Sequence, residues 1–250
     1  MRALSRELEI GRRIQQGFLP QQLPQIPGWK IAALCQPARQ VGGDFYDALI
    51  VPSGQLAFVV ADVCDKGVGA ALYMALFRSL LRVLFKQAPA GEAAPATLER
   101  NLALLNDYIA IEHGRDNMFA TMFVGILDPE SGALSYLNAG HDPPMLRRRL
   151  DGSIDRLPPS GPAVGLMPDT RYATARTTLA PGDQLLVYTD GIPEALDKSS
   201  ERGERKLIEL LAAHSDDAGS LLEAAIQCVS AHVGERDCHD DVTLLCLQRG

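Results

Sequence analysis

The sequence predicts an α+β fold of antiparallel sheets covered by helices, and three observations lead there. Short apolar runs alternate with turn signals along most of the chain, the pattern of hairpins and not of β-α-β units. Two longer stretches, 68–86 and 98–109, switch to helical spacing. Apolar residues make up 46% of the 250, enough for one substantial core.

The elements follow in order. Leu8, Ile10, Ile14 and Phe18 sit close to helical spacing until Pro20, and the connector PQQLPQIPG comes next. We expect residues 1–22 to be an amphipathic linker helix, cut from a longer protein, and residues 23–250 to form the main domain. The runs WKIAALC, FYDALIV and QLAFVVADV read as strands, the last two paired about the turn Pro52-Ser53-Gly54. From Val68 to Lys86, Leu72, Ala75, Leu76, Leu80 and Val83 predict the buried face of a helix, with Arg78, Arg82 and Lys86 as its polar stripe. Leu98, Leu102, Leu105 and Ile109 mark a second helix. Strands return in MFATMFVGILD, ALSYLNAG, a hairpin about Asp151-Gly152, YATARTTL and QLLVYTD. Helices at about 203–213 and 218–233 precede a final strand, VTLLCLQ.

A net charge of −7 argues against general attraction to nucleic acid or anionic membranes, and Arg147-Arg148-Arg149 reads as a solvated hairpin face. No apolar run reaches the roughly 20 residues of a membrane span, so the expected location is cytoplasmic. Five cysteines without a C-x-x-C pair fit reduced thiols, and DCHDD has no second Cys/His pair to complete a zinc site.

The informative acids lie at strand rims. Asp44 opens DFYDALIV, Asp62 ends LAFVVAD, Asp190 ends LLVYTD, and Asp240 and Asp241 open VTLLCL. Apolar strand interiors are buried, so their rim acids sit at the edge of a core, where gathered carboxylates must take up protons or bind a cation. An all-oxygen set favours Mg²⁺ or Mn²⁺ over zinc. Gly42, Gly43, Gly67, Gly69 and Gly191 would let the backbone turn and approach the ion closely.

VGGDFYD, VADVCDKGVGAALYMAL, NAGHDPPML, PGDQLLVYTDGIPEA and HDDVTLL, in that order, resemble the metal-dependent serine/threonine phosphatases of the PPM (PP2C-like) family. They resemble in particular its bacterial branch of sigma-factor and sporulation regulators. The resemblance covers about residues 12–249 by the spacing of those motifs. It implies two packed antiparallel sheets flanked by helices, with residues 23–250 as the phosphatase domain and two Mn²⁺ or Mg²⁺ ions at one end. By motif, Asp44, Asp62 and the Val63 carbonyl would hold one ion. Asp62 would bridge to the other, held by Asp190 and Asp240, although Asp241 could exchange places with Asp240. Arg39 lies at the offset of a phosphate-binding arginine, and a guanidinium suits that task.

The implied reaction is hydrolysis of phosphoserine or phosphothreonine by metal-activated water, without an enzyme nucleophile. The implied partners are a small phosphorylated anti-sigma-factor antagonist, an upstream sensor or receiver domain joined through residues 1–22, and a second copy joined through the N-terminal helix. That helix would bias the 68–86 helix and hence Asp62. The chain departs from many relatives at Cys64, where they carry a histidine proposed as general acid, and His141 is a substitute to weigh against a turn-shaping role. Two other readings compete. A metal-dependent nucleotide cyclase would explain GGDFYD but leaves YTDG and HDDVT unexplained; a catalytically silent binding module of the same fold must explain why all four presumed ligand aspartates are present.

Overall fold

The computed structural model describes residues 2–197, 199–214, 217–233 and 240–250. Two five-stranded antiparallel sheets pack face to face, with helices outside each, as the sequence predicts. One sheet has the order β1 (Trp29–Gln36), β10 (Val242–Arg249), β9 (Gln184–Tyr188), β6 (Met145–Arg147), β7 (Ile154–Arg156). The other runs β2 (Phe45–Ile50), β3 (Leu56–Val63), β4 (Ala120–Leu127), β5 (Ala133–Ala139), β8 (Ala175–Thr178). Helices α2 (Val68–Lys86) and α3 (Ala94–Glu112) cover the second sheet, and α4 (Gly191–Leu196), α5 (Ser200–Ala213) and α6 (Ala218–Val233) cover the first. The N-terminal α1 (Arg2–Phe18) lies beside α2.

Strand alternation divides the interior into three layers. In β3, Leu56, Phe58 and Val60 point between the sheets, while Ala57, Val59 and Ala61 point at α2 and α3. Leu185 and Val187 of β9, and Leu245 and Leu247 of β10, meet the first group from the opposite sheet. Continued one step past the apolar run, the same alternation brings Asp62 and Thr189 to the end of the inter-sheet layer. It carries Asp44 and Asp241 there too, ahead of Tyr46 and of Leu245.

Two expectations need correcting. The buried face of α2 is Ala70, Met74, Phe77, Leu81 and Phe85, joined by Arg78, whereas Leu72 is 67% exposed and Val83 is exposed as well. The aromatic side chains and the ion pairs of Arg78 and Arg82 with buried Asp47 rotate the helix away from the aliphatic stripe. The arginine run is not a uniformly solvated face either: Arg147 is buried, and Arg148 pairs with Asp155 and Asp183. The short α4 over GIPEAL has no counterpart in the sequence reading. Cys238 and His239 of DCHDD lie outside the described residues.

Candidate metal centre

The acids are set by strand register. Phe45 pairs with Ala61, so one further step along the hairpin places Asp44 opposite Asp62 and Gly43 opposite Val63. Asp44 is 4% exposed, and its carboxylate accepts a 2.7 Å hydrogen bond from Thr189 Oγ1. The Thr189 hydroxyl accepts in turn from the Thr243 amide. Asp190 follows Thr189 at the end of β9 and starts α4, and Asp240 and Asp241 lead into β10.

Asp241 has a different task from its neighbour. Its carboxylate accepts hydrogen bonds from the amides of Ala38 (2.8 Å), Gly43 (2.7 Å) and Asp44 (3.4 Å), and so gathers the loop that carries Asp44. A side chain on Gly42 would come within 2.2 Å of that carboxylate, and one on Gly43 within 2.7 Å of the Val63 carbonyl. On the far side, a side chain on Gly191 would collide with the Asp241 carbonyl at 1.9 Å. These glycines are needed for close approach; Gly69, by contrast, faces open space. Asp240 instead turns its Oδ2 to the Lys66 ammonium at 2.6 Å.

The acids share one electrostatic field. Burial first, then Asp62 and Asp241, holds the Asp44 carboxyl well above its ordinary range. Asp62 is pushed up to about 7 by burial, then by Asp190 and Asp240. Asp190, at the open edge, is raised by partial desolvation and then by Asp240. The Cys64 thiol is raised by burial and accepts from the Phe119 amide at 3.2 Å, so it holds the chain before β4. Arg39 is exposed on the loop that Asp241 gathers, one residue after the anchored Ala38.

Among the described residues no three acid, His or Cys side chains are already closed into a cage, and Asp44, Asp240 and Asp241 each accept from a protein donor. The chemistry of the set still fits hard divalent ions. Carboxylates that raise one another's proton affinity, all of them oxygen donors, are faced by the Lys66 ammonium. Asp44, Asp62, Asp190 and Asp240 are therefore brought together at one end of the sandwich, with the Val63 carbonyl beside Gly43. Sequence reasoning missed Thr189 and Lys66. Thr189 was readable as the last inward position of β9, but Lys66 offered only its place in DVCDKG.

Comparison with known proteins decides the family. Residues 52–250 match the family described as Stage II sporulation protein E (SpoIIE). The chain belongs to the SpoIIE family. Protein IcfG of Synechocystis sp. (strain ATCC 27184 / PCC 6803 / Kazusa) is 40% identical over 263 residues, covering 97% of this chain and 41% of that protein. Phosphoserine phosphatase RsbU of Bacillus subtilis (strain 168) is 27% identical over 244 residues, 97% of this chain and 70% of RsbU. The chain thus spans about two fifths of one relative's length and about two thirds of the other's. The SiaA-PP2C domain of Pseudomonas aeruginosa superposes with a TM-score of 0.79 at 20% identity, over 100% of this chain and 98% of that one. The catalytic domain of the serine/threonine phosphatase PstP, in complex with two manganese ions, does so with a TM-score of 0.65 at 16% identity, over 88% of this chain and 97% of that one. Both likenesses concern the fold.

Proposed function

We propose that this SpoIIE-family chain is a metal-dependent protein serine/threonine phosphatase that removes phosphate from a regulatory protein, a small phosphorylated anti-sigma-factor antagonist in the cytoplasm. The observation that carries the reading is the convergence of Asp44, Asp62, Asp190 and Asp240 from the ends of four strands into one partly dehydrated cluster. RsbU is a phosphoserine phosphatase and PstP binds two manganese ions, and both support the reading.

Asp44, Asp62 and the Val63 carbonyl would hold one Mn²⁺ or Mg²⁺ ion, and Asp62, Asp190 and Asp240 the other. Bound there, the ions supply Lewis acidity toward phosphoryl oxygens and make water acidic enough to be a nucleophile near neutral pH. To take this part Asp240 would exchange the contact of its Oδ2 with the Lys66 ammonium for the ion. Asp241 keeps the Asp44 loop in place, and Thr189 fixes the rotamer of Asp44. Arg39, exposed on that loop, carries the paired donors that suit a phosphate.

Control enters through residues 1–22, read as a linker helix that receives a signal from an upstream domain and supports a homodimer. The Gln15 amide grips the Gly42 peptide at both ends: its Nε2 donates to Gly42 O at 2.5 Å and its Oε1 accepts from Gly42 N at 3.1 Å. Gly42 is two residues from Asp44, so a shift of α1 reaches the ligand loop directly as well as through α2. A cavity of about 30 Å³, lined by Gln15, Leu19, Met74, Asp44 and Asp241 among others, separates helix from loop.

The deciding experiment measures phosphate release from a phosphorylated anti-sigma-factor antagonist with Mn²⁺, comparing wild type with Asp62→Asn. Release by the wild type alone is expected. Equal release by both proteins, or cyclic nucleotide formation from GTP or ATP, would overturn the reading.

A further inference from the structure

His141 lies beside the acids without belonging to the ligand set. It is 2% exposed and directly follows β5 in NAGH. Its main-chain amide donates to Asn138 Oδ1 at 2.8 Å, and the wholly buried Asn138 donates from Nδ2 to the Leu157 carbonyl at 3.0 Å. The residue therefore stands on a fixed platform.

Its ring touches both sheets. Nδ1 shares a 3.0 Å hydrogen bond with Thr121 Oγ1, and Thr121 is the β4 partner of Asp62. Antiparallel partners point to the same face, so Thr121 stands next to Asp62 at the end of the inter-sheet layer. The carbonyl of Tyr188, two residues before Asp190, also lies against the ring. Burial draws the imidazole down to about 4, so the ring carries one N–H. Apolar side chains between sheets impose no direction and can slide, whereas a hydrogen-bonded ring sets a distance.

We propose that His141 is a positioning residue: wedged between Thr121 on β4 and the main chain of β9, it fixes the separation of Asp62 in one sheet from Asp190 in the other. This rests on the metal-dependent phosphatase reading above. It assigns His141 no proton transfer to substrate. Its effect passes through the spacing of the two acids, which would share one ion.

The test uses the whole 250-residue chain, with Mn²⁺ titration by calorimetry, p-nitrophenyl phosphate kinetics and thermal melting. His141→Ala and Thr121→Val should each weaken Mn²⁺ binding by about 10-fold or more, as loss of a ligand-orienting partner does. Both should lower kcat while leaving KM nearly unchanged. His141→Asn places an acceptor close to the Nδ1 position and should recover part of the loss. The double variant should be little worse than either single one. Unchanged Mn²⁺ affinity and kcat in His141→Ala, with only a lower melting temperature, would reduce His141 to packing and overturn the proposal. Should His141→Ala not fold, the nearly isosteric Thr121→Val decides: wild-type affinity in that variant overturns the proposal equally. Failure of the wild type to bind Mn²⁺ or release phosphate is a separate result, which overturns the phosphatase reading itself.

Discussion

Asp44 and Asp47 are three residues apart in the same stretch, and both are almost wholly buried, at 4% and 2% exposure. Being an odd number of residues apart, they point to opposite faces of the sheet. Asp47 faces α2, where Arg78 and Arg82 pair with it and the Ala48 amide donates to it. Asp44 faces the end of the sandwich, where its neighbours are a threonine hydroxyl and more carboxylates. One acid is compensated by fixed cations and the other is compounded by further acids. Burial alone does not mark a working carboxylate; the sign of the charges around it does.

The sharpest way to break this contrast is to remove each acid in turn. Asp47→Ala strands two arginines at the β2–α2 interface and should cost about 3–5 kcal/mol of stability in urea unfolding. Activity per folded molecule should stay near wild type; a selective loss of kcat would erase the distinction. Asp62→Asn should do the reverse. Because losing an orienting partner alone costs 10–100-fold, losing the shared ligand should cost activity at least about 100-fold. The same variant should melt higher than wild type in chelator, since a buried charge that repels its neighbours is gone.

Gln15→Ala tests the reach of α1. It leaves the Gly42 peptide groups without the partners they have now, a cost of about 1–3 kcal/mol. That loss should appear as weaker Mn²⁺ binding in calorimetry while α2 and the sheets melt almost as before. The mildest test changes only pH. Asp62 titrates in the fold at about 7, above its ordinary range, so the chelated folded chain binds more protons than the unfolded chain in between. Stability from this group is therefore present in acid and lost as pH rises through that value. Melting in chelator should fall between about pH 5 and about pH 8, and Asp62→Asn should flatten the slope. A rise over that window would argue that the acids do not meet.

Most of the frame was legible because strand alternation is a local property. The rim acids could be read from where each apolar run stops, and their meeting followed from antiparallel pairing of those runs. What lay beyond reach depended on partners distant in sequence. The buried face of α2 is chosen by Asp47 on another element, so the aliphatic stripe of Leu72 and Val83 misled. The Gln15 grip on Gly42 joins a helix to a loop through one amide, and no periodicity records it. Asp240 and Asp241 look interchangeable in HDDVT; only the three amides gathered by Asp241 distinguish them.

Asp241 reaches back 203 residues to Ala38, and the strand it introduces, β10, closes between β1 and β9. A polypeptide still being translated can lay down its second sheet, and even its amphipathic entry helix, yet remain inert. Until the closing strand leaves the ribosome, the loop bearing Asp44 lacks the carboxylate that gathers its amides. A premature stop or a protease nick ahead of Val242 should silence catalysis as completely as removing Asp62 itself.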